Sequence, residues 1–183
     1  MTHPLVNFLA FQFGWFAACL GAAKGWPICG PIYSCIWLSL HLRSLGNARG
    51  LELRLLLLAA LVGYFADSLL VVCGLMAFPE KAMLGAPSPL WMVVLWVNLA
   101  ATLRHCLKWL GGILPIIGAV LGAVAGPLSY FAGAKLGIVV LTQPLLSLAA
   151  IAIEWAFATP ALVGLTLWLK PRAKAQVSRT LGE

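Results

Sequence analysis

Charged residues interrupt this chain only at long intervals. Between them lie uncharged runs at 1–23, 25–42, 82–103, 109–134, 136–153 and 155–169. About 20 mostly apolar residues cross the ~30 Å hydrocarbon core of a bilayer. Runs of this length and number exceed what the core of a 19.5 kDa globule could take up. They predict six spans: Pro4–Ala23, Ile28–Leu42 (short), Leu55–Phe78, Leu90–Leu110, Gly112–Gly133 and Pro144–Leu169. Backbone groups in lipid must be paired within helices or closed barrels, and the runs lack the alternation of barrel strands. The expected fold is therefore all-α, a polytopic transmembrane helical bundle. Residues 1–170 would form one domain, with 171–183 a polar, disordered cytoplasmic tail.

Composition agrees with the pattern. The 183 residues are 62% hydrophobic and 9% charged, with a mean hydropathy of +0.99. Soluble domains carry roughly 45–50% apolar and about 25% charged residues, so a water-soluble domain is excluded. The net charge of +7 reads as topology rather than nucleic-acid affinity. With both termini cytoplasmic, Arg43, Arg49, Arg54, Arg104, Lys108, Lys170, Arg172, Lys174 and Arg179 fall inside, and only Lys24, Lys81 and Lys135 outside. Positive charge concentrates on the cytoplasmic side of membrane proteins, and an odd number of spans would spoil the division. Trp26 and Trp91 would then mark the outer boundary, Trp109 and Trp168 the inner one. No Lys or Arg precedes Lys24, whereas a cleaved signal peptide has a positive start, so the first run is expected to be retained. The five cysteines form no CxxC and are odd in number, which indicates neither a disulfide framework nor a zinc site.

Ionisable groups within spans are costly and mark functional sites by default. Asp67 and Glu154 stand out, each about 15 Å from the outer end of its helix. Gln12 and Asn98 fall at about 16 and 12 Å by the same rise, so four spans present polar side chains at nearly one depth. The fifth span reaches this level at Gly126-Pro127, followed by Ser129 and Tyr130. Proline there frees the carbonyl of Ala123. Gln12 and Asn98 taken singly read as interhelical hydrogen bonds, and either carboxyl could be packing glue. Together the six residues Asp67, Glu154, Gln12, Asn98, Ser129 and Tyr130 make a candidate binding site, in which one carboxyl would carry a proton coupled to binding. Arg104 is expected to anchor the inner boundary by snorkelling or, if turned inward, to neutralise Asp67 or Glu154. His105 shares a helical face with Asn98 and Thr102. A haem between His41 and His105 has no other support along the chain, and no metal or cofactor is expected. Gly118, Gly122 and Gly126 form a small-residue ladder of the kind that lets helices approach, expected to pack within the bundle. No P-loop, dinucleotide fingerprint, HExxH or GxSxG occurs.

Several motifs carry a family resemblance. They are Asn7…Phe11-Gln12-Phe13-Gly14-Trp15-Phe16, Asp67-Ser68, Pro87-Ser88-Pro89-Leu90-Trp91-Met92, Leu95-Trp96, Gly126-Pro127-Leu128-Ser129-Tyr130, and Glu154-Trp155 with Pro160. The chain resembles an uncharacterised family of small bacterial inner-membrane proteins, a domain of unknown function, over nearly all its length except the tail. Members are often encoded near enzymes similar to cyclopropane-fatty-acyl synthases, so the resemblance implies a multi-pass inner-membrane protein connected with lipid modification. It assigns no catalytic residue. Three roles follow as expectations. The protein binds or moves a lipid or other amphiphile; it is an intramembrane acyl-chain-modifying enzyme with Asp67 or Glu154 as acid or base; or it is a scaffold docking a soluble lipid-modifying enzyme on its basic cytoplasmic face. Membrane lipids are the expected partners in each.

Overall fold

The computed structural model describes residues 3–169, and the tail expected at 171–183 lies outside them. Six α-helices are present among the described residues: α1 (Pro4–Ala23), α2 (Cys29–Ser44), α3 (Arg49–Val72), α4 (Leu90–Ala100), α5 (Pro115–Lys135) and α6 (Pro144–Trp168). Four segments, α1, Gly46–Val72, α5 and α6, are long and apolar enough to cross a membrane. α1, α5 and α6 start on a proline, whose missing N–H would have had no helical partner at that position. His3 Nδ1 caps α1 by accepting the Leu5 N–H at 3.3 Å.

The helices sort into a bundle around α4, which packs against α1, α2 and α3, while α6 packs on α3 and, most extensively, on α5. One end, hereafter the basic end, gathers the start of α1, the α2–α3 turn and the ends of α4 and α6. Arg43, Arg49, Arg54, Arg104 and Lys108 cluster there. At the opposite end a short antiparallel pair, Met76–Ala77 with Val140–Leu141, joins the exits of α3 and α5. Ser147 Oγ donates to the Leu75 carbonyl at 2.6 Å and strengthens that join. The outward faces are apolar, with Phe65, Val124, Leu145 and Phe157 all exposed. The buried set, by contrast, includes Asn7, His41, Glu52, Asp67 and Asn98. A surface this apolar marks a protein that meets something other than water; these are the helices of a membrane protein.

The fourth segment departs most from expectation. It was read as one span, Leu90–Leu110, but the α-helix ends at Ala100, and turns at 101–107 lead into a 3₁₀ helix at Lys108–Gly112. Thr102 Oγ1 bonds back to the Leu99 carbonyl at 2.5 Å, and the N–H groups of His105 and Leu107 both turn onto the Thr102 carbonyl. Side-chain competition of this kind draws a backbone out of helix. The freed Ala101 carbonyl is met by Asn7 Nδ2 at 3.0 Å, and Ala101, Thr102, Leu103 and His105 are buried. Non-helical backbone is tolerated at depth when protein covers it in this way. α3 begins at Arg49, six residues before Leu55, and already turns Glu52 toward the interior in its first turn. α3 also stops at Val72 instead of Phe78, where Gly74 takes a left-handed φ of 69° suited to a helix stop. The fifth helix starts at Pro115 in place of Gly112. Trp91, expected at the boundary, is buried and donates to the Ala82 carbonyl at 2.7 Å.

Candidate functional site

Asp67 is fully buried on α3. Trp96 Nε1 of α4 donates to its Oδ2 at 2.9 Å, and the Tyr130 hydroxyl of α5 donates to its Oδ1. Gly63, one turn before Asp67, lets Trp96 lie directly on the α3 backbone, for a Cβ at that position would strike the indole ring. Trp96 in turn stacks on Trp155 of α6, with ring centroids 4.4 Å apart and planes 19° from parallel. Gly126 accommodates Trp155 as Gly63 accommodates Trp96, and Gly122 lies against Trp155 and Thr159. The glycine ladder thus serves the α5–α6 contact at two of its three rungs; Gly118 has no close neighbour there. Glu154 precedes Trp155, within electrostatic reach of Asp67, and its Oε1 is buried without a hydrogen-bond partner.

Beside this network lies a pocket of about 160 Å³ between α1, α4, α5 and α6. Trp15, Trp96, Leu99, Tyr130 and Trp155 are among its walls, and Ser129 supplies a hydroxyl. Trp15 Nε1 reaches Ser129 Oγ at 3.4 Å. The space is smaller than the roughly 300–1,000 Å³ of sites for whole drug-sized ligands, and so suits one segment of a longer apolar molecule. Asp67 does not line it. Its connection runs through the two side chains that donate to it, Tyr130 through its hydroxyl and Trp96 through its indole N–H, both of which line the pocket.

The remaining candidates fall elsewhere. Asn98 Nδ2 donates to the Phe11 carbonyl at 2.9 Å and ties α4 to α1. Gln12 is half-buried and outside the pocket wall. The structure therefore brings Asp67, Tyr130 and Glu154 together, with Ser129 alongside, and leaves Gln12 and Asn98 apart. Arg104 is turned inward, but toward neither Asp67 nor Glu154. Its Nη2 donates to the Thr166 and Leu169 carbonyls at 3.4 and 3.1 Å, and its Nη1 stands 3.8 Å from Glu52 Oε2. His105 joins the same group, 3.6 Å from Glu52 Oε1, while His41 Nε2 lies 3.1 Å from that oxygen.

This second polar centre was missed from the sequence. Its three members His41, Glu52 and His105 come from α2, α3 and the turns after α4, so no short motif unites them. A usable signal did exist: Glu52, Leu56, Ala59, Gly63 and Asp67 follow one another at steps of four, three, four and four, a single buried stripe of α3. The two imidazoles meet edge to face with centroids 4.8 Å apart and Glu52 against both, which leaves no room for a porphyrin between them. One ligand atom from each of His41, Glu52 and His105 can be chosen such that all lie within 4.8 Å of one another, close enough for small side-chain adjustments to bring them around a single ion.

Compared with known proteins, residues 4–161 match the family model described as a protein of unknown function, DUF2878. No curated protein and no solved structure matches the chain.

Proposed function

The chain belongs to the DUF2878 family of proteins of unknown function, and we propose that its pocket binds or moves a lipid or other amphiphile. The observation that carries this reading is the pairing of an apolar, aromatic-walled pocket with a buried carboxyl reached only through Tyr130 and Trp96. The aromatic walls take the apolar segment. Ser129, Tyr130 and the Asp67–Glu154 pair behind them handle the polar or protonated part.

In this reading the protein crosses the bacterial inner membrane six times with both ends cytoplasmic. The basic end faces the cytoplasm, as the positive-inside tendency requires. α2 and α4 are the short crossings; the buried turns after Ala100 complete the depth that an eleven-residue helix of about 16 Å does not cover.

The test is mass spectrometry of total phospholipid fatty acids in wild type, a clean deletion, and deletions carrying Asp67→Asn or Glu154→Gln. The deletion should alter the profile, and both variants, present in the membrane at wild-type level, should fail to restore it. Full complementation by both removes the pocket from function. If the purified protein converts phospholipid without a partner, the same pocket is an acyl-chain-modifying active site instead, with Asp67 or Glu154 as acid or base.

A further inference from the structure

At the basic end, independently of the pocket, we infer that His41, Glu52 and His105 form a mononuclear site for a divalent transition-metal ion of the Zn²⁺ or Fe²⁺ kind. Two imidazole nitrogens and one carboxylate are the donor set of open three-ligand zinc sites and of non-haem iron sites. Oxygen-seeking ions such as Mg²⁺ and Ca²⁺ are poorly served by a site in which two of three donors are imidazoles. Ligands about 2.0–2.2 Å from a tetrahedral ion stand roughly 3.3 Å from each other. The distances from Glu52 Oε1 to His41 Nε2 and His105 Nε2, 3.1 and 3.6 Å, bracket that spacing.

Two further observations point to an ion rather than a closed hydrogen-bonded triad. His105 Nε2 is buried and faces Glu52 Oε1 at 3.6 Å, longer than a well-formed hydrogen bond. Buried ring nitrogens are almost always paired, and a metal would satisfy this one. The second carboxylate oxygen is held from behind: Arg104 stands on Oε2, itself fixed by the carbonyls at the end of α6. Support of this kind orients a ligating carboxylate and is a regular companion of metal sites. Three protein ligands leave a coordination position open for water or a substrate atom.

The experiment uses the full chain in detergent, purified without a polyhistidine tag and stripped with a chelator. Co²⁺, a coloured divalent stand-in for Zn²⁺ at nitrogen and carboxylate donors, titrated by visible absorption, and Zn²⁺ content after desalting should each give about one ion per chain. His105→Asn and Glu52→Gln should weaken binding by more than about 100-fold, and Arg104→Gln by the roughly 10–100-fold typical of an outer-shell partner. Asp67→Asn should bind like wild type, which separates this site from the pocket. Absence of a Co²⁺ spectrum in the wild-type protein overturns the inference without reference to any variant. So does binding that survives unchanged in folded His105→Asn and Glu52→Gln, which would make the ion adventitious.

Discussion

α3 carries two buried carboxyl groups on one stripe, about 22 Å or four turns apart, and the bundle treats them differently. Glu52 is surrounded by ionisable nitrogen: two imidazoles and a guanidinium, drawn from α2 and the turns after α4. Asp67 meets only neutral donors, an indole N–H and a phenol, and beyond these lies open space walled by aromatic rings. The first arrangement binds chain segments together through charge. The second spends its polar contacts on holding two aromatic side chains at the edge of a pocket. A burial cost of the same kind is met in one case by a clasp and in the other by a support for a cavity.

That contrast predicts a graded set of losses in thermal unfolding of the detergent-solubilised protein. The largest belongs to Glu52→Ala, which leaves Arg104 and two histidines facing one another without their acid; breaking a buried pair from one side costs about 3–5 kcal/mol. If Asp67→Ala costs as much, the distinction between clasp and support fails. Next is Gly63→Leu, whose side chain would displace the Trp96 ring. Overpacking of this kind costs about 1–3 kcal/mol, and here it should also close the pocket, read as lost access of a lipophilic quencher to tryptophan fluorescence. The smallest is Asn98→Ala, one interhelical bond to the Phe11 carbonyl, worth about 0.6 kcal/mol on the average for such bonds. A much larger value for Asn98 would place it in the site after all.

How far these features could be read from the sequence depended on what kind of spacing encodes them. Helix starts marked by Pro4 and Pro144 were legible because proline acts locally, whereas the start at Pro115 was set three residues early, at Gly112. The constant rise per residue placed Glu154 about 15 Å into α6, but α3 stops at Val72 and leaves Asp67 about 7.5 Å from its end instead of about 15 Å. The end of α4 was not, because residues 101–110 remain apolar enough to read as a span; what stops the helix is the Thr102 hydroxyl together with Asn7, ninety-four positions away. Arg104 likewise reads as a boundary anchor and His105 as an extension of the Asn98–Thr102 face, whereas both stand beside Glu52. Glu52 itself was passed over because Arg49 and Arg54 flank it in a segment that reads as a cytoplasmic turn, whereas in the fold both arginines are exposed and the glutamate points inward. Gln12 illustrates the opposite error. It lies at the right height but on the wrong side of α1, and height alone says nothing about azimuth.

Arg104 has a temporal consequence as well. Its carbonyl acceptors, Thr166 and Leu169, lie 62 and 65 residues further along the chain. On the ribosome α4 is complete while those acceptors are still unmade, and Glu52, older still, must wait with its guanidinium unanchored. The basic end remains an unfinished joint until α6 arrives to anchor the guanidinium that faces Glu52.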